Sequence, residues 1–558
     1  MRNRLLILLI FSLFVFSFVP PANTATGTEA EGLLVVDVWY ATREELSYLS
    51  THYDLWQVNP QESTAKLMIS QTEFAELSEL GFEITLDEQN TILVNSSWEM
   101  LPVQRAGVPG LPCYRTVDEI FADAETLATS HPTLAQWVDI GDSWEKMQYG
   151  AGYGHDIRVL ELSNQKMGGE KAKILINSGL HARELAPVEL NMRLAEYLVD
   201  HYGLDADITW LLDYNEVHLL LVSNPDGRVQ VENTGFLWRK NTNENYCGPT
   251  STSRGADLNR NFDFHWDGGY SSTNPCDPSY RGPSPLSEPE SQAISAYELA
   301  LFEDQRGPED DDPAPLDATG MFIDLHSAGG LVLWPYGFDF TSTAPNNTPL
   351  QTLGRKLAYF NQYAPIQANV LYPASGATDD FAYGTLGIAS YTIEMGSEFF
   401  QDCTTFESTI YPDNLDALIY ALKSARRPYQ IPAGPDVLTI SAPSGQLPFN
   451  QSFVVGAELD DTFYWTSNGY EPTQNIQVVR ASIDTPPWDA GQLFALQAVD
   501  GTFDEKNEAV SGTISTIGLV GGRHTLFVQG QDAAGNWGAV SAVFFETEYG
   551  YYFPLSFR

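Results

Sequence analysis

His181 and Glu184 stand three residues apart at the end of an apolar run, Ile174-Leu-Ile-Asn-Ser-Gly-Leu-His181-Ala-Arg-Glu184. A catalytic zinc ion takes an imidazole nitrogen and a carboxylate oxygen at about 2 Å and keeps one position open for water. A tight turn after a buried strand can aim both side chains at one point. Alone, the pair is a common pattern in long chains, so a third ligand must come from another strand end. Phe322-Ile-Asp-Leu-His326-Ser327, followed by Ala-Gly-Gly, is such a strand. His181, Glu184 and His326 then make the two-His, one-carboxylate set of a hydrolytic zinc site, one ion per catalytic domain. Hydrolysis at such a site also needs a general base and an oxyanion stabiliser. Glu394 closes a further β-rich run, Tyr391-Thr-Ile-Glu394, and an acid at the end of a buried strand is costly without a role, which makes it the candidate base.

These residues need strands that end together. Residues 113–428 alternate short apolar runs (173–179, 216–222, 321–325, 388–393) with helical stretches such as 187–202. That alternation predicts an α/β domain with a largely parallel or mixed sheet, whose ligands bind beyond the carboxyl ends of the strands. Ahead of it, residues 31–90 read strand, helix, strand, strand, helix, strand, a small α+β domain, with a Pro/Gly-containing linker at 91–112. Residues 433–548 lose helical periodicity, and short β runs alternate with turn residues. An antiparallel β-sandwich is expected there, and Asp532-Ala-Ala-Gly-Asn-Trp-Gly538 resembles a turn of immunoglobulin- or fibronectin-like modules. The aromatic tail 549–558 has no assigned role.

At 558 residues the chain is too long for one core. Its 29 basic and 73 acidic residues leave a charge of −44, which argues against nucleic acid or an anionic membrane surface as partner. Arg2 and Arg4, the apolar run 5–19 and the small residues up to Ala25 predict an export signal over 1–25, hence a secreted, extracellular protein without integral membrane association. Cys113, Cys247, Cys276 and Cys403 are then an even set in an oxidising compartment. Three pairings are possible; Cys247 with Cys276 flanks one turn-rich loop, which leaves Cys113 with Cys403. The acidic run between Pro308 and Pro313 is expected to be a solvated loop, with a calcium site as the alternative.

The ligand segments His181-Ala-Arg-Glu184 and Asp324-Leu-His326-Ser327, with Asn224-Pro-Asp-Gly227, Phe236-Leu-Trp-Arg239-Lys240, Asp257-Leu-Asn259-Arg260-Asn-Phe262 and Leu371-Tyr372-Pro-Ala-Ser-Gly376, resemble in order those of the zinc metallocarboxypeptidases of the pancreatic A/B type and their secreted bacterial relatives. The resemblance covers 113–428. It implies that Arg239 polarises the scissile carbonyl, that Asn259 and Arg260 clamp the substrate's terminal carboxylate, that Tyr372 covers the site and that Arg183 assists neighbouring subsites. It puts Glu394 at the family's base and supports the local Cys247–Cys276 pairing. A guanidinium fork with a neutral amide suits a planar carboxylate, so peptide and protein C-termini are the expected partners of a monomeric exopeptidase. Asp379, in Thr378-Asp379-Asp380-Phe381, falls where B-type enzymes carry an acid, which implies a preference for C-terminal Lys or Arg.

A deacylase or amidase acting on small amides would lack the Arg260/Tyr372 clamp. A non-catalytic binding protein working through its sandwich would be expected to have lost Glu394 or a ligand. The stretch between Glu184 and His326 is longer than in the pancreatic enzymes. Residues 31–90 stand where that family carries a prosegment, so the chain is read as a zymogen cut near Arg105, the alternative being a permanent accessory domain.

Overall fold

A computed structural model describes residues 32–95, 107–235, 237–443, 445–448 and 450–549. The expected export signal, the cutting site near Arg105 and the tail beyond Tyr549 lie outside the described residues. Among those described, no helix is long and apolar enough to cross a membrane.

The N-terminal unit is a four-stranded sheet of β1 (Leu34–Trp39), β2 (Asp54–Asn59), β3 (Thr64–Ile69) and β4 (Glu83–Leu86), in the order β2-β3-β1-β4. Its helices start where the sequence offers caps. Thr42 accepts from the Glu45 amide ahead of Arg43–His52, and Ser70 forms a capping box with Glu73 ahead of Gln71–Glu79. Val36, Val38, Leu46, Leu49, Leu67 and Leu77 fill the space between. A third helix, Glu88–Val94, capped by Asp87, runs into the stretch expected as linker.

The central sheet has eight strands: β5 (Ala135–Asp142), β6 (Asp156–Leu162), β7 (Ala172–Ser178), β8 (Asn215–Leu220), β9 (Met321–His326), β10 (Leu331–Trp334), β11 (Ala364–Gln367) and β12 (Ala389–Glu394), in the order β11-β10-β12-β9-β7-β8-β6-β5. β12, β9, β7 and β8 run parallel, while β5, β6 and β10 pair antiparallel with their neighbours on this parallel core's side. Every residue of β9 is buried, with Ile323 and Leu325 entering one core and Phe322 the other. Because side chains alternate along a strand, Asp324 and His326 share the face of Phe322. The parallel register sets Asn177 beside Asp324 and Glu394 beside His326, so the polar ends of three strands converge.

Eight further strands between Asp436 and Thr547 hydrogen-bond in one continuous order, not as two separately bonded sheets. The first of them, Asp436–Ser441, packs back against Gly522–Asp532 and Ser541–Thr547, so the sheet folds over its own core of Val455, Leu459, Val479, Leu526 and Val528.

Candidate active site

β7 leads into a turn at Gly179, whose φ of 71° suits glycine and where a Cβ would sit 2.8 Å from Val188. The turn delivers His181, and Glu184 follows at the start of the helix Leu185–His201. His326 is the last residue of β9. His181 Nδ1 lies 2.8 Å from Glu184 Oε1, and His326 Nδ1 lies 3.0 Å from Glu184 Oε2 and 3.1 Å from His181 Nδ1. All three side chains are buried, with ligand atoms within 4.8 Å of one another. Donor atoms held at about 2.0–2.1 Å by one tetrahedral ion stand roughly 3.3 Å apart, so the spacing fits a single zinc.

The outer ring nitrogens support the same fit. His181 Nε2 is 3.2 Å from Asp257 Oδ1, and His326 Nε2 is 3.0 Å from Asp324 Oδ2. Each carboxylate is placed to accept from an Nε2–H, which leaves the Nδ1 lone pair facing inward, the arrangement of carboxylate–histidine–metal triads. Burial alone would lower the His326 imidazole, but Asp324 and Glu184 outweigh it and hold it well above its usual range. Burial works against ionised Glu184 too, yet the two histidines keep it well below the carboxylate range. Burial pushes Glu394 up to about 8, with His326 opposing and Glu184 adding to the rise.

Arg239 is tied to the same centre. Its Nε and Nη2 donate to Asp257 Oδ2 at 3.2 and 2.8 Å, and its Nη1 lies 3.4 Å from His181 Nδ1. Asn259 Oδ1 accepts from the Thr378 amide at 2.9 Å, which turns Nδ2 toward His326. Arg260 is buried; its Nη1 donates to the Asn259 carbonyl at 2.7 Å, its Nε has no partner, and among the described residues no carboxylate pairs with it. Asp379 is also buried, accepting from the Asp380 amide at 3.0 Å; burial pushes its carboxyl up to about 6, the Asp380 amide lowers it, and Asp324 adds to the rise.

Two residues expected to meet substrate meet the N-terminal unit. Arg183, fully buried, forms a fork–fork pair with Asp54 at 2.6 and 2.7 Å and lies 4.1 Å over the Phe399 ring. Tyr372 packs against the N-terminal core. The disulfides are Cys247–Cys276 and Cys113–Cys403. The acidic loop is organised by Arg306, which donates to the carbonyls of Asp312 and Glu309, and by a pair between Asp310 and His265 at 2.9 Å. Asp54, Asp257, Asp324 and Thr378 had no assigned role in the sequence reading. The one signal available was an acid two positions before His326 inside a buried strand, where it must have a partner.

The zinc carboxypeptidase family model matches residues 120–418. Carboxypeptidase A2 of Rattus norvegicus is 31% identical over 333 residues, covering 58% of this chain and 72% of that protein. Carboxypeptidase B of Astacus astacus is 31% identical over 292 residues, covering 50% and 86%. The carboxypeptidase A structure from Helicoverpa armigera shares the fold with a TM-score of 0.56 at 22% identity, covering 72% of this chain and 98% of its own.

Proposed function

The chain belongs to the zinc carboxypeptidase family, and from that membership we propose that it releases C-terminal residues, Lys and Arg by preference, outside the cell. It is a zinc-dependent hydrolase built on a mixed eight-stranded sheet, acting on peptide C-termini. The observation that carries the exopeptidase reading is Arg260, a buried guanidinium that no carboxylate among the described residues pairs with, beside a complete ligand trio. A cation so placed is satisfied by a planar anion, and a free peptide C-terminus supplies one.

In this reading His181, Glu184 and His326 hold the ion. Zinc bound there would polarise the scissile carbonyl and acidify a coordinated water. Glu394 takes a proton from the attacking water and passes it to the leaving amine; a dication held by the three ligands would offset the burial that raises its pKa. Arg239, already oriented by Asp257, donates to the carbonyl oxygen as it gains charge. Asn259 and Arg260 clamp the terminal carboxylate, Tyr372 closes over it, and Arg183 serves a subsite further along the peptide. Asp379, buried without a cation, gains its counter-charge from a Lys or Arg side chain. Glu394→Gln is expected to keep zinc and lose nearly all turnover. Substrates ending in Arg should exceed those ending in Phe in kcat/KM, and equal values would remove the Asp379 assignment.

We also infer that residues 31–90 act as a prosegment removed by cutting near Arg105. Asp54 occupying Arg183 and the N-terminal core covering Tyr372 support this reading over a permanent accessory domain. The export signal, the paired cysteines and the sandwich-like strands after 433 fit a secreted enzyme with an appended β module.

A further inference from the structure

Two buried acids, Asp324 and Asp379, stand on the substrate side of the sheet, and their hydrogen bonds separate their roles. Asp324 is fully buried, and its contacts are protein donors. Its Oδ1 accepts from Asn177 Nδ2 at 2.9 Å, and its Oδ2 accepts from Thr378 Oγ1 at 2.5 Å and stands 3.0 Å from His326 Nε2. With no accessible surface, it is out of reach of a substrate cation. Asp379 accepts from the Asp380 amide on Oδ1 and, among the described residues, forms no ion pair.

Resting on the zinc reading, we propose that Asp324 is a positioning residue that fixes His326 for the metal and, through Thr378, fixes the Asn259 amide of the carboxylate clamp. The chain of contacts is continuous: His326 to Asp324, Asp324 to Thr378 Oγ1, and the Thr378 amide to Asn259 Oδ1 at 2.9 Å. Accepting at Nε2, Asp324 selects the ring tautomer whose Nδ1 points to Glu184 and His181. Accepting Thr378 Oγ1, it holds the first turn of Thr378–Leu386 so that the Thr378 amide meets Asn259 Oδ1 and leaves Nδ2 as the donor toward the site. Metal grip and carboxylate recognition thus share one support, supplied by an acid that touches neither ligand.

The test measures zinc affinity by competition with a metal-binding dye in the full-length chain, alongside kcat and KM. Wild-type protein should bind one zinc; failure there defeats the zinc reading itself. Asp324→Ala should weaken zinc about 10- to 100-fold. Asp324→Asn, which keeps an acceptor for the ring, should recover most of that loss. Thr378→Val should leave zinc affinity within about threefold and raise KM more than it lowers kcat, because it frees Asn259 and not His326. Should Asp324→Ala not fold, Asp324→Asn and Thr378→Val still decide. Wild-type zinc affinity in Asp324→Ala, a loss in Asp324→Asn as deep as in Asp324→Ala, or a Thr378→Val defect confined to kcat, overturns the proposal.

Discussion

The N-terminal unit keeps its core to itself, whereas the C-terminal strands share theirs with the catalytic domain. From the central domain Tyr372 packs on the N-terminal core, and Phe399 meets Trp56 edge-on at 5.6 Å. The other contacts of that junction are mainly polar or charged: Arg183 with Asp54, His52 with Asp277 at 3.1 Å, and Arg43 bonded to the Asn369 carbonyl and 4.7 Å over Phe340. At the other end, Phe527, Ala539, Val540 and Ala542 belong to the same apolar cluster as Leu211 and Leu212, and Trp488 packs on Trp210 and Tyr214. Fully buried Lys356 pairs with Asp436 at 2.5 Å. A junction of paired charges can part and rehydrate, since water replaces each partner. A shared core cannot, because parting it exposes apolar surface.

Four measurements sharpen or break this contrast. Phe527→Ala should cost about 3–5 kcal/mol, and calorimetry should find the catalytic and C-terminal parts unfolding together; two separate transitions would end the shared-core view. Asp54→Ala leaves Arg183 buried and unpaired, a penalty of about 3 kcal/mol confined to docking of the N-terminal unit. Peptide hydrolysis by the uncut chain should therefore rise while the main melting transition stays in place.

Asp461, beside Asp436, Asp532 and Lys356, should act through pH. Burial is the main reason its carboxyl is raised to about 7, with the Gln474 amide and Lys356 opposing and Asp532 and Asp436 adding. The folded state thus retains a proton that the unfolded chain releases, so the contribution of Asp461 to stability is fully present below about pH 4 and is lost as pH climbs to 7. Asp461→Asn should flatten that decline in melting temperature against pH; an unchanged slope would remove Asp461 from the account. The smallest effect belongs to His52→Ala, because His52 is largely solvated, and its pair should be worth about 1 kcal/mol or less in N-terminal docking.

What could be read from the residues tracks how local each signal is. The runs at 173–179, 321–325 and 388–393 are apolar and short, and they form β7, β9 and β12. Their polar ends pointed to His181, His326 and Glu394 because such residues at the mouth of buried strands need a reason. The helix Glu88–Val94 was missed: it is short, buries none of its residues fully and carries no apolar stripe to reveal it. Asp257, the cap of the short turn Leu258–Arg260, reads as a surface acid until the fold brings it behind His181, whereas Asp324 is flagged only by its place inside a buried strand. The Asp54–Arg183 pair spans 129 positions, and nothing local in either segment announces the other. Arg183 was read as a substrate contact, but in this structure a carboxylate of its own chain is already there.

The Cys113–Cys403 link closes a loop over a separation of 290 residues, and Tyr114 beside it donates to the Gln401 carbonyl at 2.8 Å. That makes Cys113 a topological gate for proteolysis. A single cut upstream of it separates the N-terminal unit as a free fragment. One cut anywhere between Cys113 and Cys403 leaves both pieces on the same covalent body until a reductant arrives. Enzyme nicked upstream thus begins its chain pinned beside the Phe399 loop, a start held by a bond where most new termini would fray.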